Sequence, residues 1–167
     1  MPRTTKSRRT VARERMYHDL VFESAEHVFA EKGFDDATMQ DIASEAEISL
    51  KTLYSTFPGK AELYLEIQAV RGREFLEFNQ KAVTGAESAL ERLTLGVRAY
   101  VDFLVEHEDF LRIHLREGKA WGLGPLYDDT EGWQAGVEHF AATLRQGMEE
   151  KIFHEGDAEL MAMSGIA

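Results

Sequence analysis

Apolar side chains recur at helical spacing through almost the whole chain, and little interrupts them. Prolines stand only at positions 2, 58 and 125, so long stretches are free of helix breakers. Strand-like alternation is scarce. A pattern of this kind confines the chain to an all-α architecture.

The pattern divides into segments. A first helix is expected from about Tyr17 to Lys32, with Leu20, Val21, Ala25, Val28 and Phe29 on one face and Asp19, Glu23, Glu26 and Glu31 largely opposite. Gly33 stands where a left-handed cap is wanted, and Phe34 can fold back as its hydrophobic contact. Thr38 with Asp41 three residues on reads as the N-cap of a short helix whose apolar positions are Met39, Ile42, Ala43 and Ala46. Ser49 caps another, through Leu53 to about Ser55. Pro58 and Gly59 break the chain before a long helix from Lys60 to Lys81, with Leu63, Ile67, Val70 and Phe78 inward. Further helices are expected from Leu90 to near Glu108, from Asp109 to Gly118, and from Asp129 to Phe153. A loop with three glycines and a proline separates the last two, from Gly118 to Pro125. Asp157 opens one more segment, with Leu160, Met161, Met163 and Ile166 apolar.

Charge is distributed unevenly. The chain totals −11, yet its first 15 residues carry Arg3, Lys6, Arg8, Arg9, Arg13 and Arg15 against the single acid Glu14. A basic arm on an acidic body points to a polyanion held at one end, or to a solvated tail. No apolar run reaches the length of a membrane span. The arginine-rich start has no apolar stretch behind it, so no secretory signal is read and the cytoplasm is expected. Cysteine is absent, which removes disulfides and thiolate chemistry.

The second and third of the short helices are joined by about three residues, which is the helix-turn-helix arrangement. In that arrangement the second helix props the third, whose first side chains enter the DNA major groove. Spacing alone also allows an unrelated helical subdomain.

The residues add more. Leu20-Val21, Ser24-Ala25 and the run Val28-Phe29-Ala30-Glu31-Lys32-Gly33-Phe34 resemble the opening helix of the TetR family of bacterial transcription regulators. Thr38 to Ala43, Ile48 to Tyr54, Phe57, Lys60 and Leu63 continue the resemblance, which covers roughly residues 18–64. Residues 65–167 are similar only in helical style.

The resemblance implies a basic arm at 1–15, a DNA-binding domain at 16–64, and a helical bundle for ligand binding and dimerisation at 65–167. It implies that Ser49, Leu50, Lys51 and Thr52 face base edges. Lys51 has the reach for guanine O6 and N7, and Thr52 offers a hydroxyl and a methyl for thymine. Thr38, Gln40, Tyr54, Ser55 and Lys60 would contact phosphates and set orientation. Arg8, Arg9, Arg13 and Arg15 would reach the backbone or a neighbouring minor groove, as arms do in other helix-turn-helix proteins. One departure stands out: Glu47 occupies the turn position where the family usually has glycine. A side chain at positive φ is costly, so a differently shaped turn is expected.

By the same resemblance the protein is a homodimer that binds an inverted-repeat operator and is released by a small apolar or aromatic effector. Phe75, Phe78, Tyr100, Phe103, Leu104, Trp121, Tyr127, Trp133 and Phe140 supply apolar surface for one, and His107 and His114 supply polar contacts. Plain core packing explains many of these aromatics equally well. No cofactor, metal or catalytic site is expected. There is no HExxH, P-loop or Gly-x-Ser-x-Gly, and His107 and His114 lie seven apart on different predicted helices. A helical small-molecule carrier or enzyme that no longer binds DNA is the alternative. The segment opened at Asp157 stops after about ten residues, so either the C-terminal helices are truncated or the dimer is unusual.

Overall fold

A computed structural model describes residues 8–117 and 131–166. They form α1 (Arg8–Lys32), α2 (Met39–Glu45), α3 (Leu50–Thr56), α4 (Lys60–Ala82), α5 (Ala89–Glu106), α6 (Glu108–Glu117), α7 (Glu131–Glu149) and α8 (Ala158–Ile166), with no strand among the described residues. The chain divides into two compact units, Met1–Ile67 and Gln68–Ala167. The expected boundary at residue 64 falls three residues short of this one.

The first unit is built around α1. Val21, Ala25 and Phe29 are fully enclosed with Ile42 of α2, Leu53 of α3 and Leu63 and Ile67 of α4. Two expectations about α1 need correction. Leu20 is exposed and Glu26 is 6% exposed. Three helices share this core, so α1 buries a wide arc, centred beyond the stripe that spacing suggested. The second correction concerns length: α1 begins at Arg8, nine residues before the expected start. The segment expected as a separate arm is therefore helical from Arg8 onward.

Local chemistry sets the ends of these helices. Gly33 adopts φ +81, and its N–H donates to Phe29 O at 2.8 Å. Phe34 then folds back onto Phe29 and Tyr64, with ring centroids 6.0 and 4.9 Å away. A capping box starts α2. Asp41 N–H donates to Thr38 Oγ1, and Thr38 N–H donates back to Asp41 Oδ2, both at 3.1 Å. Lys32 closes on the same carboxylate at 2.7 Å.

In the second unit, α4 and α5 meet closely. Asn79 Nδ2 donates to Gly96 O at 3.1 Å. Toward the other end of this contact, Phe75 lies 5.6 Å from Tyr100 and 5.5 Å from Phe103. Phe103, Leu104 and Phe110 form the buried centre of this cluster. A separate core joins α7 to α8 through Ala141, Leu144, Ala158 and Ala162. The expected helix to Phe153 stops instead at Glu149. Ile152 N–H reaches back to Gly147 O, Lys151 N–H reaches Met148 O, and Lys151 takes φ 58. That reversal lays Phe153 against Gly147 so closely that a Cβ there would fall within its ring. Leu90, Val97, Val101 and Val105 remain exposed along α5. No described helix is long and apolar enough to cross a membrane.

Candidate nucleic-acid interface

The turn between α2 and α3 decides how α3 is presented. Ala46 caps α2 in an ordinary helical conformation, and Glu47 follows at φ 51. Glu47 N–H donates to Ser44 O at 3.2 Å, and Ile48 N–H donates to Ala43 O at 3.0 Å. This pair of bonds is the Schellman motif, with glutamate in the place usually held by glycine. The expectation of a reshaped turn is therefore wrong: the turn keeps its form, and Glu47 bears the strain. Its side chain is exposed.

Ser49 then caps α3, accepting from Thr52 N–H at 3.1 Å. Leu53 and Phe57 are buried and pin one side of α3 to the core. Lys51, Tyr54 and Ser55 consequently lie on its exposed side, and Leu50 and Thr52 are half-buried beside them. Several hydroxyls on this helix bond locally. Ser49 Oγ pairs with Thr52 Oγ1 at 2.8 Å, and Ser55 Oγ donates to Thr52 O at 2.6 Å. Ser55 Oγ keeps its lone pairs for a further partner.

Two expected phosphate contacts have other occupations. Thr38 Oγ1 donates to Asp41 Oδ2 at 2.7 Å, so its proton is engaged within the capping box. Lys60 Nζ donates to Phe34 O at 2.6 Å, Ala37 O at 2.9 Å and Asp35 O at 3.1 Å. It also stands 4.5 Å from the centroid of the Phe34 ring. An ammonium has three protons, and all three are directed at the chain that leaves α1. Gln40 is exposed at the start of α2.

The lysines of residues 16–64, the head of the first unit, thus separate by role. Residues 16–64 hold Lys32, Lys51 and Lys60 against ten acids, yet Lys32 is paired with Asp41 and Lys60 is bound to carbonyls. Lys51 is left as the one lysine of the three whose ammonium is uncommitted among the described residues. Arg13 and Arg15 are exposed on α1. Arg8 and Arg9 are on the same helix, their side chains outside the described part.

The expected effector residues fall into two groups. Phe75, Phe78, Tyr100, Phe103 and Leu104 share one aromatic cluster, where burial raises the Tyr100 hydroxyl above its ordinary pKa. His107 stacks on Phe103 at 4.2 Å, and His114 meets Phe110 at 4.3 Å. Each histidine directs Nδ1 at the carbonyl one turn back, 2.8 and 3.0 Å away, so Nδ1 carries the proton. Phe140 instead packs on the core between α7 and α8, apart from that cluster. Trp121 and Tyr127 lie outside the described residues, as does the side chain of Trp133. Sequence reasoning missed the buried polar residues of this unit, among them Gln68, Asn79 and Thr143. Their signal was a polar side chain in an otherwise apolar stripe.

A tight α2–α3 turn, a pinned third helix with an exposed basic and hydroxyl face, and a separate helical unit define a helix-turn-helix protein. Residues 21–67 match the family model described as bacterial regulatory proteins, tetR family. Over these residues the chain is similar to that family. The transcriptional activator FasR of Mycolicibacterium smegmatis is 32% identical over 85 residues, covering 51% of this chain and 38% of that one. The chain spans between 34% and 38% of the length of two such curated relatives. Among solved structures, the regulator PfmR of Thermus thermophilus is 25% identical, with a TM-score of 0.67 over 86% of this chain and 79% of its own. AibR, in complex with isovaleryl coenzyme A and operator DNA, has the same fold. Its TM-score is 0.70 at 21% identity, over 89% of this chain and 80% of its own.

Proposed function

We propose that the chain is a sequence-specific DNA-binding transcriptional regulator. It acts in the cytoplasm as a homodimeric repressor on an inverted repeat, and a small apolar effector bound in its second unit releases it. The observation that carries this reading is the division of the lysines. Lys32 and Lys60 fasten the head together, while Lys51 stands on the exposed face of α3 beside Tyr54 and Ser55. A cation on that face, next to hydroxyl groups, suits base edges flanked by phosphates. The aromatic cluster around Phe103 supports an apolar effector. AibR, a protein of this fold, is held by both an acyl thioester and its operator.

The head itself is acidic, with ten acids against three lysines in residues 16–64. Long-range attraction must then come from Arg8, Arg9, Arg13 and Arg15. Selection of bound sequences from a random duplex pool with the full chain tests the reading, and enrichment of a palindrome is expected. On the selected site, Lys51→Ala relaxes preference at one position by roughly 1–3 kcal/mol, whereas Tyr54→Phe weakens all sequences alike. Replacing the four arginines by glutamine flattens the salt dependence by about three per subunit. An unenriched pool at low salt would overturn the proposal.

A further inference from the structure

Single apolar residues on a surface need no reason, but a continuous row of them does. Helix α5 carries such a row. Leu90, Val97 and Val101 are between 52% and 57% exposed, and Thr94 between them is exposed as well. The core-facing residues of the same helix are Ala89, Ala99, Phe103 and Leu104, all buried. The row is therefore a second face of α5, distinct from the one that anchors it.

The steps from Leu90 to Thr94, Val97 and Val101 are four, three and four residues. At about 100° per residue, these four lie within a strip about 60° wide. So narrow a strip with alternating steps is the seam of a coiled coil, whereas a globular core buries a broader arc. Charges border one side of it. Glu91 and Arg98 are exposed next to the row, at equivalent positions one heptad apart. Neither is strongly held within the chain. Arg98 Nε stands 3.7 Å from Asp102 Oδ2, with both side chains largely in solvent. Glu91 Oε2 accepts from Glu87 N–H, and no cation pairs with it among the described residues. The other border consists of Leu93 and Tyr100, both half-buried.

We propose that this row is a self-association surface, which pairs antiparallel with the same row of a second copy of the chain. This rests on the homodimer reading and gives the dimer a face. With the two-fold axis beside Leu95 and Gly96, Leu90 lies opposite Val101 of the second copy and Thr94 lies opposite Val97. In that register Glu91 comes beside Arg98 of the second copy, twice by symmetry. A slip of one heptad in either direction sets Arg98 against Arg98 or Glu91 against Glu91. A parallel pair brings Leu93, not an acid, beside Arg98. Charge thus selects both the antiparallel register and a copy of the same surface as the occupant. One helix face is smaller than the about 800 Å² per partner of a standard interface, so the pairing is a weak one, with Kd in roughly the micromolar range.

Sedimentation velocity of the full chain over roughly 1–300 μM tests the proposal, with a reversible dimer expected. Val97→Glu with Val101→Glu should raise the Kd about thirtyfold or more and leave the Tm within a few degrees, because both positions are exposed. Leu115→Glu, an exposed apolar residue of α6, should leave the Kd within about twofold. Arg98→Glu should weaken pairing about tenfold by setting acid against acid, and adding Glu91→Arg should restore it to within about threefold. These two charged positions keep the test open if the double glutamate variant fails to fold. A dimer untouched by the glutamates, or a charge reversal that brings no rescue, would overturn the proposal and leave a homodimer built on another face. A chain monomeric throughout the range would remove both.

Discussion

Each unit of this chain holds a cation that its fold has drawn in from solvent, and the two are treated oppositely. Lys60 in the reading head directs its three protons at Phe34, Asp35 and Ala37 carbonyls and lies over an aromatic ring. Arg92 in the second unit has a buried Nε with no partner. Among the described residues the head leaves no buried side-chain nitrogen or oxygen without a partner, and the reversal at Glu47 satisfies the carbonyls of Ser44 and Ala43 at the end of α2. The second unit leaves polar nitrogens unmatched inside and the apolar residues Val97, Val101 and Val105 exposed outside.

Substitutions that treat both cations alike can break this contrast. Lys60→Met leaves three carbonyls without their donor and should destabilise the head by about 2–3 kcal/mol in denaturant unfolding. Lys51→Met, on the exposed face of α3, should leave stability within about 0.5 kcal/mol. If Lys60→Met proved as silent as Lys51→Met, the contrast between the units would fail.

The next effect is smaller and common to both units. Glu47 and Lys151 are the two non-glycine residues at positive φ among the described residues, and each completes the same pair of reversal bonds. Glu47→Gly and Lys151→Gly should each stabilise by about 1 kcal/mol, since the left-handed conformation strains a side chain by about that amount. Loss of stability in either would show that its side chain holds the turn.

The smallest effect is confined to the head. Lys32, followed by Thr38, holds the Asp41 carboxyl below its ordinary range. A carboxyl whose folded pKa is depressed contributes stability that is present at neutral pH and lost as pH falls through the folded value. Thermal melts should therefore show Asp41→Asn slightly less stable than the parent at pH 7, with the gap closing below about pH 4. A gap unchanged in acid would mean that the amide fails for steric reasons.

Much of the head was legible from its caps. Thr38 and Ser49 marked the starts of α2 and α3, and Gly33 with Phe34 marked the end of α1, because each signal is local. What escaped was not local. Residues 8–16 lack an apolar stripe, so nothing in them announces a helix that merely continues one nucleated further along. Glycine served as the stop signal, and both helix ends that use Glu47 or Lys151 instead were misjudged, one in shape and one in position. The duty of Lys60 depends on carbonyls more than twenty residues away in sequence. In the second unit Phe140 was grouped with Phe103 because both are aromatic, and only packing separates them.

The early start of α1 changes how its charges would meet a duplex. At about 1.5 Å per residue, the 13 residues from Arg8 up to the fully buried Val21 form a rod of about 20 Å. A floppy tether would surrender about 1–2 kcal/mol of backbone freedom for every residue ordered on the phosphates. A helix already formed surrenders little, and it carries its arginines at set intervals, like marks on a ruler. Association should then release heat without the large negative heat-capacity change of coupled folding, and its affinity should depend sharply on where the phosphates lie along the rod.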